Sequence, residues 1–440
     1  MNIFLEKMKA LLGDEFEDFL KFYNSDGEHY RGLRVNPLKC TAERLAALLD
    51  FELKPTPFCN ESFYIPNEIT SLGNNPLHHA GAFYIQEPSA SSAVTMLDVQ
   101  EGDLVLDLCA APGGKSTQIA GRLNSKGFLW SNEIVKNRAN ILLSNIERLG
   151  IRNCTVSNAY PEVLCERLSG CFDKVLVDAP CSGEGMFRKD SAAESEWSDE
   201  HVKSCAERQL KILNSAKKAL KYGGVMVYST CTFSVEENEG VITRFLEENP
   251  DFSLEDANVS FGRPTLDYAR RIFPMDGGEG HFAARLRKSG ELYKNSLREN
   301  KQNKVDSKIL DFYDSLFIGR PFGENIEVIG DKIIILPENY VPNEKIPVLR
   351  SGIILGQIVK NRIEPHHSAF MAAKPEECVT RVDFDVNSEE IKAFLHGEEI
   401  AVDGRLKGYT AVCVNGITTG FGKCSNGRLK NKYPKGLRLL

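Results

Sequence analysis

The sequence lacks several features that would each have placed it in a particular class of protein. No apolar run approaches the ~20 residues that a membrane-spanning helix needs. The first nine residues mix charged and apolar side chains and predict an amphipathic helix, not a signal peptide. None of the 12 cysteines belongs to a Cys-x-x-Cys pair, so the chain has no zinc or redox site of that type. We therefore expect a cytoplasmic protein with no membrane partner and no metal.

Excess positive charge is also missing from the chain as a whole. The formal net charge is −7, which argues against a protein that coats nucleic acid through bulk charge. The distribution is uneven, because no Asp or Glu follows Arg405. Basic residues continue there to the end of the chain, at Lys407, Lys423, Arg428, Lys430, Lys432, Lys435 and Arg438. They alternate with glycines and residues that favour strands, which predicts a small folded barrel with a basic face.

With 440 residues, the chain should form two or three domains. Residues 1–79 predict helices, with one extended stretch at residues 31–36. Residues 80–288 alternate short apolar strands with helices, which is typical of a parallel sheet covered on both faces. Residues 289–308 are polar and charged and predict a linker that few contacts should cross. Residues 309–440 predict a small α+β region.

The apolar runs give the expected strands of the central sheet. They fall at residues 104–108, 128–132, 154–157, 174–177, 225–229, 271–273 and 282–286. Further strands are expected beyond the linker, at residues 326–329, 332–336, 353–359 and 410–414.

A glycine-rich segment follows the first of these strands and opens a helix, so its backbone N–H groups should face a ligand. The segment is Asp107-Leu-Cys109-Ala110-Ala111-Pro112-Gly113-Gly114-Lys115-Ser. A dinucleotide fold would need Gly-x-Gly-x-x-Gly, which is absent. A Walker loop also ends in Gly-Lys-Ser, but its first glycine would fall at Cys109, and Pro112 interrupts the loop. We interpret the segment as a loop that holds the amino-acid part of S-adenosylmethionine.

The next strand supports this interpretation. It ends at Glu133, about twenty residues beyond the glycines, where a carboxylate can bind both hydroxyls of a ribose. Taken alone, Glu133 would more often be a surface carboxylate.

Two cysteines each follow an apolar strand, Cys181 in Asp178-Ala-Pro-Cys181 and Cys231 in Ser-Thr-Cys231. Methylation of cytosine at C5 needs such a pair, because C5 becomes nucleophilic only after a thiolate has added to C6. A second group must then help to release the thiol. An acid such as Asp178 could also hydrogen-bond N3 of the base and lower the cost of the addition. Spacing alone does not decide which cysteine attacks.

The ordered motifs Asp-Leu-Cys-Ala-Ala-Pro-Gly-Gly-Lys, Asp-Ala-Pro-Cys-Ser-Gly-Glu-Gly and Tyr-Ser-Thr-Cys-Thr-Phe resemble those of the RNA cytosine-C5 methyltransferases of the RsmB/Nop/Sun family. With the small domain that follows, the chain resembles the bacterial branch that acts on 16S rRNA. The resemblance implies a class I, Rossmann-like methyltransferase sheet and a PUA-like RNA-binding domain near the end. It assigns attack to Cys231 and release to Cys181, and brings Lys115 near the target base.

The resemblance also implies a set of contacts to S-adenosylmethionine. Asn158 stands where the family commonly has an acid that faces the adenine. The implied contacts are Asp107, Cys109, Ala110, Ala111, Pro112, Gly113, Gly114, Lys115, Glu133, Arg138, Asn158 and Asp178.

Four alternatives remain open at this point. The substrate could be tRNA or another rRNA cytosine, or the chain could be a ribosome-assembly factor that binds RNA without turnover. A small-molecule methyltransferase is also possible, but the basic C-terminal domain argues against it. A DNA enzyme would attack from a Pro-Cys motif and would use Cys181 as the nucleophile. For RNA binding we expect contributions from residues 31–36 in the N-terminal unit, from Arg188 and Lys189, and from the basic C-terminal unit. We expect the protein to act as a monomer.

Overall fold

The computed structural model describes residues 3–23, 30–189, 191–291, 305–342 and 345–439, with residues 191–193 described by their backbone only. Most of the predicted linker, residues 292–304, lies outside the described residues. No helix in the described parts of the chain is long and apolar enough to cross a membrane.

The N-terminal unit combines helices with a small antiparallel sheet, so the expectation of a helical unit is wrong in part. Its strands have two to four residues, too few to give a clear period in the sequence. The sheet has the order β2-β3-β1-β4, and β4 lies beyond the predicted boundary at residue 79 because it pairs with β1. The elements are α1 (Ile3–Leu12), α2 (Phe16–Tyr23), β1 (Gly32–Val35), α3 (Ala42–Leu48), β2 (Lys54–Pro55), β3 (Ser62–Tyr64), α4 (Pro76–His79) and β4 (Phe83–Ile85).

The central domain is a mixed sheet with helices on both faces, which confirms the predicted fold class. The longest of its helices, α10, begins at a side-chain cap, where Ser198 accepts a hydrogen bond from the His201 N–H. The elements are α5 (Ser92–Leu97), β5 (Leu104–Asp107), α6 (Gly114–Leu123), β6 (Phe128–Asn132), α7 (Lys136–Arg148), β7 (Cys154–Ser157), α8 (Pro161–Arg167), β8 (Phe172–Asp178), α9 (Ser191–Glu196), α10 (Asp199–Ala219), β9 (Leu220–Thr230), α11 (Glu239–Glu248), β10 (Phe252–Leu254), β11 (Arg263–Thr265), β12 (Ala269–Ile272) and β13 (His281–Lys288).

The strand order of this sheet places a crevice next to β5. Five parallel strands run in the order β9-β8-β5-β6-β7, and antiparallel strands extend the sheet beyond β9 and β7. The chain moves from β5 to β6 on one side and returns to β8 on the other. Such a reversal opens a crevice at the carboxyl ends of the strands, where ligands bind in open α/β sheets.

Separate hydrophobic cores hold the helices to the two faces of the sheet. One core joins the strands to α8, α10 and α11, and the other joins them to α5, α6 and α7. The strands are buried from both sides, which explains why they appear in the sequence as continuous apolar runs.

The C-terminal region contains two further sheets, of four and five strands. Its elements are α12 (Ser307–Leu316), β14 (Ile326–Ile329), β15 (Lys332–Ile335), β16 (Val348–Ser351), β17 (Ile353–Val359), β18 (Arg362–Pro365), α13 (His367–Ala372), β19 (Arg381–Phe384), α14 (Glu389–His396), β20 (Ile400–Ala401), β21 (Gly408–Val414), β22 (Ile417–Ser425) and β23 (Arg428–Asn431).

The C-terminal region is not a loosely attached unit, contrary to the expectation that few contacts cross the linker. Strand β16 joins the central sheet as an antiparallel neighbour of β7. Arg350 of β16 forms an ion pair with Glu147 of α7 at 2.9 Å. One hydrophobic core contains residues of both the N-terminal unit and the C-terminal region, such as Phe83 of β4 and Phe394 of α14. A charged segment in the sequence therefore marks a change of composition but not the edge of an independent folding unit.

Candidate active site

The two cysteines meet at the carboxyl ends of β8 and β9. These strands are parallel neighbours, with Asp178 opposite Ser229, so the loops that follow them start side by side. The Sγ atoms of Cys181 and Cys231 lie 3.4 Å apart. Both side chains are half-buried. The sequence predicted that both thiols reach one edge of the sheet, and the structure brings them into contact.

The contact between the thiols affects where the proton lies. The hydrogen bond to Cys231, together with burial, raises the pKa of Cys181 well above the usual value of a thiol. Cys181 therefore keeps its proton and can donate it to the sulfur of Cys231.

Lys115 and Asp178 form a buried ion pair beside the cysteines. Lys115 Nζ donates to Asp178 Oδ2 at 2.8 Å, and Ser229 Oγ donates to Oδ1 at 2.8 Å. Burial opposes the charge of each partner, but their mutual attraction raises the pKa of Lys115 and lowers that of Asp178. Asp178 is thus an ionised acceptor, unlike the acid that the sequence analysis considered, and Lys115 carries the proton at this position.

A histidine that sequence reasoning missed lies next to this ion pair. Burial and the neighbouring Lys115 lower the pKa of His281 to about 3, so its imidazole is neutral. Its Nε2 has no hydrogen-bond partner among the described residues. His281 begins β13, which turns back antiparallel to β9, and no local motif in the sequence reveals that pairing.

The glycine-rich loop connects β5 to α6. The N–H of Ala110 donates to Asn132 O at 2.8 Å, and Arg138 Nη2 donates to Ala111 O at 2.8 Å. Gly113 has a φ of +115°, which a residue with a side chain rarely adopts. A Cβ at Gly114 would lie 3.1 Å from Gln86 Nε2, so this glycine lets the N-terminal unit approach the loop.

The predicted ribose and adenine contacts lie at the ends of β6 and β7. Glu133 is buried; its Oε1 accepts from Val135 N at 2.9 Å, and its Oε2 lies 3.5 Å from Arg138 Nη1. The amide nitrogen of Asn158 donates to Glu133 O at 2.7 Å and to Ile134 O at 2.8 Å. Asn158 N also donates to Pro347 O at 3.0 Å, just before β16. The C-terminal region thus supports the predicted adenine end of the site.

Asp107 adds a third carboxylate to this edge of the sheet. Ser116 Oγ donates to its Oδ2 at 2.6 Å, while Oδ1 has no partner among the described residues. Burial raises the pKa of Asp107 to about 7, and the charges of Asp178 and Glu133 contribute. Burial also raises the pKa of the Cys109 thiol well above its usual value, and the charges of the same three carboxylates contribute.

This charge distribution suits a cationic ligand. S-adenosylmethionine carries a positive sulfonium, whereas NAD and ATP carry negative phosphates. In a Walker loop the lysine reaches a phosphate, but here Lys115 is paired with Asp178. The unpartnered oxygen of Asp107 and the buried carboxylate of Glu133 therefore fit S-adenosylmethionine and disfavour a nucleotide polyphosphate.

Two of the three predicted RNA-contact segments are occupied by contacts within the protein. Arg34 is buried, where its Nη2 donates to Thr117 Oγ1 at 2.6 Å, so the expectation of an RNA contact there is wrong. Arg188 and Lys189 both lie next to Glu279, at 3.2 and 3.5 Å. Lys423 and Lys430 of the C-terminal unit differ, since they lie opposite each other on β22 and β23 and are exposed.

Four family models match consecutive parts of the chain. Residues 94–287 match the model described as 16S rRNA methyltransferase RsmB/F, and residues 2–88 match the N-terminal domain of 16S rRNA methyltransferase RsmF. Residues 311–372 match the RsmF rRNA methyltransferase first C-terminal domain, and residues 381–439 match the methyltransferase RsmF PUA domain.

Full-length relatives carry the same description. The chain is 35% identical to ribosomal RNA small subunit methyltransferase F of Vibrio vulnificus, covering 99% of this chain and 96% of the relative. The Shewanella piezotolerans protein of that name is 31% identical, covering 96% and 93%. Among solved structures, NSun6 from Pyrococcus horikoshii with SFG is similar, with 26% identity, a TM-score of 0.59, and coverage of 65% of this chain and 98% of that one.

Proposed function

The chain belongs to the RsmB/F family of 16S rRNA methyltransferases, and from that membership we propose that it methylates C5 of a cytosine in 16S rRNA through a covalent bond between Cys231 and C6. It is an S-adenosylmethionine-dependent RNA cytosine-C5 methyltransferase. The observation that carries the proposed mechanism is the contact of the two thiols beside the Lys115–Asp178 pair.

The ion pair is complementary to the edge of a cytosine. Cytosine presents an amino group at N4, which donates, next to N3, which accepts. Asp178 is an ionised acceptor and Lys115 is a charged donor, and their atoms lie 2.8 Å apart. We assign Asp178 to the N4 amino group and Lys115 to N3, where its proton stabilises the charge that develops when a thiolate adds to C6. Uracil carries O4 in place of the amino group and would face Asp178 with an acceptor.

The thiols divide the addition and release steps between them. Cys231 attacks C6 as a thiolate, the C5–C6 double bond opens, and C5 becomes the nucleophile. S-adenosylmethionine, when bound, supplies the methyl group that C5 takes up. A base then removes the C5 proton, the C6–S bond breaks, and its electron pair returns to Cys231. The S–H group of Cys181, 3.4 Å from that sulfur, stabilises the departing thiolate.

The choice of 16S rRNA is supported by the extent of the likeness. The relatives named as small-subunit methyltransferases align along nearly the whole chain, including the flanking regions. A target base must be flipped out or unpaired to reach the thiols, so regions outside the sheet must hold the surrounding RNA. We propose that the exposed basic residues of the C-terminal unit serve this purpose, and that the protein works as a monomer in the cytoplasm.

The decisive experiment follows the adduct and the methyl group together. Purified protein is incubated with 16S rRNA and methyl-labelled S-adenosylmethionine, and products are examined on denaturing gels and by bisulfite sequencing. Cys231→Ala should give neither methylation nor adduct, whereas Cys181→Ala should accumulate protein linked to RNA. Cys171→Ala, which changes a half-buried cysteine outside the site, should behave as the unaltered protein.

Two results would overturn parts of the proposal. An adduct in Cys231→Ala would make Cys181 the nucleophile, as in DNA cytosine enzymes. Methylation of tRNA but not of 16S rRNA by the unaltered protein would replace the substrate and leave the chemistry in place.

A further inference from the structure

Two loops carry the thiols, and hydrogen bonds join these two loops directly. The first thiol loop comprises residues 181–187 and the second thiol loop residues 231–238. Gly185 N donates to Cys231 O at 2.9 Å, and the hydroxyls of Ser182 and Thr232 lie 2.9 Å apart. A Cβ at Gly185 would lie 2.9 Å from Cys231 O, so a glycine is needed for this close approach.

Each thiol loop also carries one buried glutamate that accepts a hydrogen bond from the backbone of the other loop. Glu184 of the first loop accepts the N–H of Phe233 at 2.9 Å through Oε2. Glu237 of the second loop accepts the N–H of Ser182 at 3.0 Å through Oε2. Ser182 directly follows Cys181, and Phe233 is two residues beyond Cys231. The carboxylates are 3% and 0% exposed, so water does not compete for these bonds.

The two glutamates differ in how many of their carboxylate oxygens accept hydrogen bonds. Glu184 accepts with both, because Trp197 Nε1 donates to Oε1 at 2.9 Å. Glu237 accepts twice with Oε2, since Gln209 Nε2 also donates to it at 2.7 Å, while Oε1 has no partner among the described residues. Trp197 and Gln209 lie outside both loops, so each glutamate also ties its pair of loops to surrounding structure.

Helices of the N-terminal unit cover this arrangement. The ring of Phe19 packs edge-on against Phe233 at 5.8 Å, and Phe4 packs against Phe187 at 5.1 Å and Trp197 at 6.2 Å. Each thiol loop therefore has an aromatic contact with the N-terminal unit, Phe187 with Phe4 and Phe233 with Phe19.

We propose that Glu184 and Glu237 are positioning residues that fix the distance between Cys181 and Cys231, each by holding the backbone of the opposite loop. This inference rests on the proposed function, because the spacing matters only if one thiol attacks and the other assists release. Neither glutamate is assigned a contact with substrate. A shift of about 1 Å between reacting groups can cost about 100-fold in rate, so such a support has a measurable effect.

The difference in oxygen use gives the proposal a specific test. A glutamine at position 237 keeps one accepting oxygen for Ser182 and Gln209. A glutamine at position 184 must turn its NH₂ group toward either the Trp197 N–H or the Phe233 N–H, so one donor meets another. Glu237→Gln should therefore restore most of the activity that Glu237→Ala loses, whereas Glu184→Gln should not restore what Glu184→Ala loses.

The experiment measures kcat, KM for RNA, S-adenosylmethionine affinity and the fraction of protein trapped on RNA. Glu184→Gln is expected to lower kcat about 100-fold while KM and cofactor affinity stay within threefold, and Glu237→Gln to lower kcat less than about fivefold. Glu166→Gln, an exposed glutamate of α8 paired with Lys218, is the control and should not change kcat. Equal effects of the two glutamine variants would overturn the proposal.

A second variant keeps the test open if Glu184→Gln does not fold. In Trp197→Phe/Glu184→Gln the donor at Oε1 is gone, so the NH₂ group can occupy that place and the amide oxygen can accept from Phe233. The double variant should recover at least tenfold in kcat, or in soluble folded protein, over Glu184→Gln. No recovery would contradict the proposed geometry. If the unaltered protein fails to methylate any RNA, the proposed function fails, and that result is distinct from both outcomes.

Discussion

The carboxyl edge of the sheet has two halves that are built differently. In the cofactor half, at the ends of β5, β6 and β7, the key side chains are bound mainly to backbone groups or to one neighbour. Asn158 donates to carbonyl oxygens, and Glu133 accepts from a backbone N–H. In the base half, at the ends of β8 and β9, side chains form mutual pairs, Cys181 with Cys231 and Lys115 with Asp178.

The difference shows which property each half controls. The side chains of the cofactor half are not paired with the groups that react with the base, so changes there should act mainly on cofactor binding. A member of a buried pair leaves its partner unpaired when it is lost, so changes in the base half should act mainly on rate and on stability.

Removal of the C-terminal region should have the largest effect, because it should abolish both folding and cofactor binding. A chain that stops after residue 304 lacks β16, the partner strand of β7, and lacks Pro347, which accepts from Asn158 N. It also exposes the core shared by Phe83 and Phe394. We expect loss of soluble folded protein and of S-adenosylmethionine binding, measured by circular dichroism and calorimetry. A folded, cofactor-binding fragment would show that the linker is a true domain boundary.

Within the base half, Lys115→Met should slow methyl transfer about 10²- to 10³-fold, the effect of losing one donor aimed at developing charge. It also leaves Asp178 buried without its cation, so thermal stability should fall. Calorimetry should find S-adenosylmethionine affinity changed less than threefold. A large loss of affinity would instead place Lys115 in the cofactor half.

Within the cofactor half, Glu133→Ala should weaken S-adenosylmethionine binding by about 10- to 100-fold, because a charged acceptor for the ribose hydroxyls is lost. At saturating cofactor the methylation rate should recover to near that of the unaltered protein. Glu162→Ala, on the first turn of α8, is the control and should leave affinity unchanged. A rate that stays low at saturation would contradict the assignment.

Cofactor binding should also depend on pH, because the cofactor half contains a carboxyl group that titrates near neutral pH. Burial raises the pKa of Asp107 to about 7, so the carboxyl is protonated below that pH and ionised above it. If its ionised form faces the positive part of S-adenosylmethionine, affinity should fall as the pH drops below 7, by up to about tenfold per pH unit. Asp107→Asn should bind with an affinity that does not vary in this range. Calorimetry at pH 5.5 to 8 tests both.

The smallest effect is expected far from both halves. Replacing Lys430, Lys432 and Lys435 by Gln should reduce the salt slope of RNA binding by about 0.7 to 0.9 per lost phosphate contact. The methylated position should not change, because phosphate contacts do not read sequence. Replacing Lys203, Lys211 and Lys218 on α10 is the control of equal charge. Equal slopes for both triple variants would show that the basic run is only a solvated surface.

The sequence predicted those parts of the molecule in which a single physical cause, such as burial of a strand, decides the residue types. The buried parallel strands appear as apolar runs, and β6, β7, β14 and β17 have the expected bounds. Cys181 and Cys231 were recognised because each follows such a strand.

Pairing between distant segments was not predictable in the same way. Strand β16 has only partly buried residues at Val348 and Leu349 and carries Arg350, so no apolar run marks it. His281 and Glu237 matter through neighbours that come from other strands and helices. Arginine side chains are rarely buried, so the sequence favours a surface role such as an RNA contact for Arg34. Only the fold shows that Arg34 is buried with Thr117 as its hydrogen-bond partner.

The position of β16 at the edge of the central sheet has a consequence during protein synthesis. A nascent chain emerges N-terminus first, so β5 to β9 leave the ribosomal exit tunnel long before Val348–Ser351. Until then β7 presents an open edge of unpaired backbone groups, which other chains can pair with. A chain released prematurely between β13 and β16 would thus carry a central sheet that is nearly complete and prone to aggregate, because β7 lacks its partner strand.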